Sequence, residues 1–202
     1  MLKIYGQKAS RAARCLWVLE ELGVPYEHVA LNQNNGETRT PDYLAINPGG
    51  KIPALDHDGF VLTETMAINE YLANTFPNTL LPRDKPSQAK LHQWTSWVLT
   101  EVEPHLVAIF KEGRRHKEQQ DPTRVEFWRA EIRNALTTVL EPSLNGRQYL
   151  LGNEFMLADL HVASTLGPVA MLGIDTSGLP NMNAWLKRCV GREAHQRAQA
   201  KA

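Results

Sequence analysis

The first part of the chain alternates short apolar runs with longer helical patterns. Residues 2–5 are apolar and compatible with a β-strand, and a polar turn extends from there to Ser10. Leucines then recur at helical spacing up to Leu22, and Gly23 provides a stop signal. This pattern predicts a strand, a turn and a helix as the first structural unit.

The alternation of strand-like and helix-like segments continues to residue 76. The Asp58-Gly59 pair is a strong turn signal between two apolar runs, so it predicts a β-hairpin. The remaining predicted elements are, in chain order, a strand over 26–31, a polar loop over 32–40, a short helix over 41–44, hairpin strands over 52–55 and 60–62, and a helix over 66–76. The resulting order is β-α-β-α-β-β-α.

A change of pattern separates residues 1–80 from the rest of the chain. Residues 77–86 contain three prolines among polar residues, a composition that blocks regular structure and suits an exposed connector. From Ser87 onwards, apolar residues keep a helical spacing and no convincing strand alternation is present. The sequence therefore predicts two domains, 1–80 and 87–202, with a linker over 81–86 and an all-helical second domain.

Composition narrows the classes of function. Of the 202 residues, 43% are hydrophobic and 22% are charged, as in a globular protein that dissolves in water. Basic and acidic residues number 22 each, so the net charge gives no reason to expect nucleic acid as a partner. No apolar run approaches the ~20 residues that span a bilayer, so no membrane association is expected and the cytoplasm is the default location. The 2 cysteines form no Cys-x-x-Cys pair and the histidines form no ligand pattern, which argues against a disulfide framework and against a metal site.

Four segments carry a resemblance to a known family. They are NPGGKIPAL at residues 47–55, ETMAI at 64–68, LKIYG at 2–6 and SRAARCLWVLEELGVPY at 10–26. Together they resemble the soluble glutathione S-transferase superfamily, and within it the serine-type members of bacterial, phi or theta kind. The resemblance implies a thioredoxin-like α/β N-terminal domain with a mixed sheet, an all-α C-terminal domain and a cis peptide bond before Pro53.

Ser10 is the candidate catalytic residue. It lies where the polar turn becomes the first helix, so its hydroxyl and nearby backbone amides can face an anion with the helix dipole behind them. In serine-type members of the resembled family, a serine at this place stabilises the thiolate of glutathione, which serves as co-substrate. The alternative is that Ser10 is an ordinary helix N-cap, and the two roles can coexist. Tyr5 is a rival donor, because some branches of the superfamily use a tyrosine near the start of the chain.

Six further residues are candidates for holding glutathione. Thr65 starts a helix and offers a hydroxyl and backbone amides to a carboxylate, while Glu64 can meet an ammonium group. The resemblance assigns both to the γ-glutamyl end of glutathione, although an ordinary N-cap is again the alternative. A backbone pairing of Ile52 with the cysteinyl peptide would resemble the addition of a strand. The remaining candidates are Pro53, which cannot join a strand ladder, and Lys51 and Arg39, which could receive the glycine carboxylate.

The helical domain has fewer distinctive motifs. The superfamily usually has serine or threonine where this chain has Met156, so only Asp159 can offer its half of a capping box. Trp94 and Trp97 are core residues by default, but their spacing would also let one line a cleft for an electrophile while the other packs. His161 lies within an apolar helix, where a hydrogen-bonded core histidine is the common case.

The leading interpretation is a cytosolic glutathione transferase that joins the glutathione thiolate to small hydrophobic electrophiles, without a metal. The family usually forms two-fold dimers, so a homodimer is expected. Glutathione-dependent reduction of peroxides or disulfides is a second interpretation, although Ser10 cannot form the mixed disulfide that a glutaredoxin-like cysteine forms. A non-catalytic glutathione-binding or interaction module is the third.

Overall fold

The computed structural model describes residues 1–7 and 9–201. Contacts divide the chain into two units, one comprising Met1–Leu81 with the segment from Gly191 onwards, and the other comprising Pro82–Val190. The strands of the first unit are β1 (Leu2–Tyr5), β2 (Glu27–Val29), β3 (Ala54–His57) and β4 (Phe60–Thr63), and its helices are α1 (Ala12–Leu22), α2 (Pro41–Ile46), α3 (Thr65–Thr75) and α10 (Glu193–Ala200). The helices of the second unit are α4 (Lys85–Trp97), α5 (Glu103–Gly113), α6 (Pro122–Ala135), α7 (Glu141–Ser143), α8 (Leu157–Leu166) and α9 (Pro180–Val190). Within the described ranges, none of the helices combines the length and the apolar character that crossing a bilayer requires.

The sheet of the first unit mixes parallel and antiparallel pairs in the order β2-β1-β3-β4. Strand β1 runs parallel to β2 and antiparallel to β3, and β3 runs antiparallel to β4. At the end of β1, Tyr5 stands opposite Val29 on one side and Ala54 on the other. This α/β unit, followed by a mostly helical unit, confirms the predicted fold class.

Helix α1 forms where apolar residues recur at helical spacing and it ends at Gly23. That glycine has a φ of 64°, and its N–H donates to the carbonyl oxygen of Leu19 at 3.0 Å. A glycine stops a helix in this way because the missing Cβ removes the steric cost of a positive φ. The predicted stop is confirmed. The buried residues of α1 are Ala12, Cys15, Leu16, Trp17, Val18, Leu19 and Glu20.

Asp58 and Gly59 form the turn between β3 and β4. Their φ values are 53° and 88°, and positive φ at both turn residues matches the twist of the flanking strands. The carboxylate of Asp56 accepts a hydrogen bond from the N–H of Gly59 at 2.8 Å. The hairpin predicted from this residue pair is confirmed.

Two helical junctions of the second unit contain a π-helical turn that the sequence did not predict. Val98–Val102 joins α4 to α5, and Leu136–Leu140 joins α6 to α7. Each turn is followed by a proline, Pro104 or Pro142, which has no N–H and whose ring would collide with the carbonyl four residues earlier. The wider π turn makes room for that ring, so the helix continues past the proline.

The end of the chain does not join the helical unit. The sequence pattern predicted a helical domain over 87–202, but the segment from Gly191 clusters with the first unit, where α10 packs on α1. The ring of His195 lies 4.4 Å from that of Trp17, and Arg197 pairs with Glu20. The physical reason is that α1 carries buried carboxylates, which require cations as partners.

Candidate functional site

Gly6 brings the end of β1, the start of α1 and the segment around Ile52 together. A Cβ placed on Gly6 would lie 2.6 Å from the Cβ of Ala12 and 3.3 Å from that of Ile52. Both distances are inside the ~3.5–4.0 Å at which carbon atoms attract one another. The approach of these segments therefore depends on a residue without a side chain at position 6.

Ser10 lies two residues before α1 and is half-buried. Its hydroxyl donates to the carbonyl oxygen of Gln7 at 2.6 Å and accepts from the N–H of Ala12 at 3.1 Å. Ser10 stands one residue before the N-cap, Arg11, whose own side chain makes no capping bond, so the bond from Ala12 stabilises the start of α1 without making Ser10 the N-cap. Contact with a sulfur stays a prediction, and it requires the hydroxyl proton to turn away from Gln7.

Two side-chain hydrogen bonds that the sequence did not predict hold the segment before β3. The carbonyl oxygen of Lys51 accepts hydrogen bonds from the hydroxyl of Tyr43 at 2.6 Å and from the side-chain amide of Asn47 at 2.7 Å. The peptide bond between Ile52 and Pro53 is cis, as the resemblance implied. The strand ladder begins only at Ala54, so the sheet does not use the Ile52 backbone. The signal for Asn47 was its place before the Pro-Gly-Gly turn.

Glu64 and Thr65 begin helix α3. Thr65 is buried, and its carbonyl oxygen lies 3.9 Å from the Sγ of Cys15, which packs the first turn of α1 against the start of α3. Glu64 is exposed, makes no side-chain capping bond and has a φ of 70° with a ψ of 115°. A residue with a side chain in such a conformation costs about 1–3 kcal/mol, and residues of this kind cluster at ligand sites.

Arg39 lies against the turn over residues 49–50, and Lys51 follows that turn in the chain. The Nη1 of Arg39 donates to the carbonyl oxygen of Gly49 at 3.5 Å. Gly50 has a φ of 56°, and a Cβ there would lie 2.6 Å from the same nitrogen. Both Arg39 and Lys51 are exposed, and the glycine turn between Asn47 and Lys51 leads into Ile52.

Tyr5, the rival donor, belongs to an apolar cluster at the end of β1. Its ring packs against the cluster of Tyr43, Ile52 and Ala54, and the Tyr5 and Tyr43 ring centroids are 6.0 Å apart. The ring thus supports the segment that carries the cis peptide bond. Contact of the Tyr5 hydroxyl with a sulfur stays a prediction, as it does for Ser10.

Cys15 is the cysteine beside Thr65 in this region, and its environment makes its thiol unreactive. It is a free cysteine with no exposed surface. Burial raises the pKa of its thiol far above the usual range, despite the opposing charge of Arg14. A protonated, inaccessible thiol is a poor nucleophile.

In the helical unit, Trp94 and Trp97 contact each other edge to face with ring centroids 5.3 Å apart. Trp94 is 5% exposed, whereas Trp97 lines a cavity of about 400 Å³ together with Glu101 and His105. His161 is buried, and its Nδ1 lies 2.9 Å from the hydroxyl of Thr95, which confirms the expected hydrogen-bonded core histidine.

Comparison with known proteins identifies the family. Residues 1–74 match the family model for the N-terminal domain of glutathione S-transferase, and residues 100–193 match that for the C-terminal domain. A glutathione S-transferase-like protein of Fusarium sp. is 38% identical over 190 residues, which cover 90% of this chain and 82% of the relative. The chain belongs to the glutathione S-transferase family.

Further glutathione S-transferases resemble this chain along most of its length. The enzyme GstB of Escherichia coli strain K12 is 28% identical over 199 residues, covering 96% of this chain and 95% of the relative. The crystal structure of a theta-class glutathione S-transferase from Xanthomonas axonopodis pv. citri, with glutathione bound, has a TM-score of 0.89 at 28% identity and covers 100% of this chain and 98% of that chain. The resemblance stated from the four motifs is therefore confirmed.

Proposed function

We propose that the first unit binds glutathione and that Ser10 holds its sulfur as a thiolate, which attacks a small hydrophobic electrophile held by the second unit. One observation carries the proposal. The N-terminal turn of α1 lies close to all three candidate segments, because Ala12 donates to Ser10 and approaches Ile52 across Gly6, and Cys15 contacts Thr65. A site with that arrangement offers a hydroxyl, an unused peptide backbone and a helix start to one small peptide.

The chemistry depends on ionisation of the thiol. A thiol of pKa ~8.5 is only a few per cent ionised at pH 7, so the protein must favour the anion. Ser10 would exchange its bond to Gln7 for one to the sulfur, with the dipole of α1 adding positive potential. The thiolate then forms a carbon–sulfur bond while the leaving group departs with its electron pair, and no bond to the protein forms.

The other candidate residues bind different parts of glutathione. Thr65 and the backbone amides of α3 take the γ-glutamyl carboxylate, and Glu64 takes the ammonium group. The backbone of Ile52, set by Pro53, pairs with the cysteinyl peptide. Lys51 and Arg39 take the glycine carboxylate, and the contact of Arg39 with the Gly49-Gly50 turn that precedes Lys51 supports this.

The proposal is tested with Ser10→Ala. A hydrogen bond to a charged group contributes roughly 1.5–3 kcal/mol, so the rate with a chloronitrobenzene should fall about ten- to a hundredfold while the glutathione Kd changes much less. The control is Ser143→Ala, because Ser143 also donates to a backbone carbonyl at 2.6 Å but lies in α7. An unchanged rate in Ser10→Ala would remove Ser10 from the mechanism, and Tyr5→Phe would then be the next variant to measure.

The same assays separate the rival functions. Calorimetric titration with glutathione is followed by electrophiles, hydroperoxides and disulfides, each at equal glutathione. Turnover with electrophiles supports the transferase, and turnover only with peroxides or disulfides supports the reductase. Binding without turnover supports the non-catalytic module. The buried thiol of Cys15 already disfavours any route through a protein–glutathione disulfide.

The proposed partners are glutathione, a small hydrophobic electrophile and a second copy of the chain, and the proposed location is the cytoplasm. The homodimer is supported by Phe60 and Val61 on β4, at the edge of the sheet, which are 50% and 39% exposed. Exposed apolar side chains on an edge strand favour association with another surface.

A further inference from the structure

Two adjacent carboxylates near the C-terminal end of α1 are buried and receive cations from the end of the chain. The side chain of Glu21 is only 6% exposed. Arg192 donates to both of its oxygens, at 2.6 and 2.7 Å, and the indole N–H of Trp17 donates to it at 2.9 Å. A bidentate arginine–carboxylate pair of this kind fixes geometry as well as charge.

Glu20 is likewise bound by residues of α10 and of the segments near it. Its side chain is 7% exposed and accepts from the Nε of Arg197 at 3.0 Å, from the Nζ of Lys201 at 2.5 Å and from the hydroxyl of Tyr26 at 2.8 Å. Arg197 also donates to the backbone oxygen of Glu20 at 3.0 Å. Burial alone would raise the pKa of Glu20, but the hydrogen bonds from Lys201, Tyr26 and Arg197 outweigh it and lower that pKa.

Two ring contacts lie beside these ion pairs. The ring of His195 lies 4.4 Å from the ring of Trp17, and the Nζ of Lys201 lies 4.6 Å from the centre of the Tyr26 ring. Residues 192–201 thus hold α1 through charge, hydrogen bonds and ring contacts at once. We call this segment the C-terminal strap.

Helix α1 connects the strap to the candidate catalytic serine. Ser10 lies two residues before the helix and is bonded to the N–H of Ala12, whereas Glu20 and Glu21 lie in the last turn of the same helix. A helix is stiff over ten residues, about 15 Å at 1.5 Å per residue, so a shift at one end moves the other. A displacement of about 1 Å at a reacting group can cost a hundredfold in rate.

We propose that the C-terminal strap positions α1, and through it Ser10, so that Arg192 and Arg197 are positioning residues for thiolate formation. The inference rests on the proposed role of Ser10. Removing a cation leaves a buried carboxylate without its partner, and α1 then moves to bring that carboxylate to water. The movement carries the Ser10 hydroxyl away from its working position.

The test is a double-mutant cycle in the full-length chain. Arg192→Gln with Arg197→Gln is made in the parent and in the Ser10→Ala background, and thiolate absorbance of bound glutathione is followed against pH. In the parent, we expect the strap variant to raise the apparent pKa of the bound thiol and to lower kcat about tenfold near pH 6.5, with a smaller change in glutathione KM. In the Ser10→Ala background the strap variant should add little, because both changes act on the same contact.

Controls keep a stability effect separate from positioning. Arg133→Gln breaks the exposed pair with Asp175 at 2.9 Å and should leave the thiol pKa unchanged. Arg197→Lys keeps the charge and should restore most of the rate. If the double variant does not fold, Arg197→Gln alone takes its place.

Each outcome is informative. A lower Tm with unchanged thiol pKa and kcat would overturn the strap proposal and leave the proposed function intact. Equal losses in the parent and Ser10→Ala backgrounds would also overturn it. If Ser10→Ala itself does not move the thiol pKa, the proposed role of Ser10 fails instead.

Discussion

Glu64 departs most clearly from what its own side chain favours. Its φ is positive, at 70°, which is unfavourable for a residue other than glycine. Its carboxylate also does not cap the helix that follows. The surrounding contacts must hold it, since Thr65 directly after it is buried against the first turn of α1. Strain retained at a helix start beside an exposed carboxylate is what a binding residue would show.

Replacing Glu64 by glutamine tests this. Glu64→Gln keeps the size and removes the charge, so glutathione binding should weaken about five- to tenfold, the difference between a charged and a neutral hydrogen bond. Calorimetric titration measures the Kd. Glu154→Gln, an exposed carboxylate of the second unit, serves as the control. An unaltered Kd in Glu64→Gln would leave the ammonium group of glutathione without its proposed partner.

The roles of individual residues differ in how far they could be predicted from the sequence. Ser10, Pro53, Glu64 and Thr65 could be predicted as candidates because each stands in a motif with a local physical meaning, and their roles stay predictions. The role of Gly6 could not be predicted, because it depends on the approach of Ala12 and Ile52 from elsewhere in the chain.

Helix α8 shows the same division between local and distant contacts. Asp159 accepts from the N–H of Met156 at 3.0 Å, which confirms the predicted half of the capping box. The same carboxylate also accepts from the N–H of Leu150 and from the indole N–H of Trp185, both at 2.8 Å. Those two contacts are distant in sequence and were not predictable from the helix-start motif.

Asp159 should make stability depend on pH. Burial raises its pKa to about 6, although three N–H donors oppose that shift. The folded state therefore holds this proton more tightly than the unfolded chain, whose pKa is near 3.8. The contribution of Asp159 to stability is complete below about pH 4, declines as the pH rises through 6 and is constant above that.

Urea unfolding of the parent and of Asp159→Asn between pH 4 and 7.5 measures this contribution. The parent should be the more stable protein at pH 4, and its advantage should shrink by about 2 kcal/mol towards pH 7.5. The subtraction removes the titration of all other groups. An advantage that grows with pH would show that the three donors dominate over burial.

On the scale of the molecule, the first unit is discontinuous in sequence. The segment from Gly191 returns to it after the helical unit, and α10 is rich in charged and small residues. A hydrophobic pattern could not predict this return, because the buried residues of α10 are only the small Ala194 and Ala198, and its ion pairs are to Glu20 and Glu21 of a distant segment. The boundary between the two units, at Leu81 and Pro82, falls within the proline-rich stretch over 77–86, whereas the packing of the segment from Gly191 depends on contacts distant in sequence.

The proposed homodimer should depend on the exposed apolar side chains of β4. Phe60→Glu places a charge on the exposed edge strand, so light scattering after size exclusion should report a dimer for the parent and a monomer for the variant. Phe127→Glu, at a side chain 57% exposed in the second unit, is the matched control and should leave the mass unchanged. A parent protein that is monomeric at micromolar concentration would contradict the dimer.

The discontinuity of the first unit also has a consequence for synthesis. On a ribosome that adds about 5–20 residues per second, Glu20 and Glu21 emerge early, and their cationic partners emerge only after the whole helical unit. Until then, the outer side of α1 is uncovered, with two carboxylates and Trp17 facing water. Folding of the first unit is therefore completed last, although most of it is translated first.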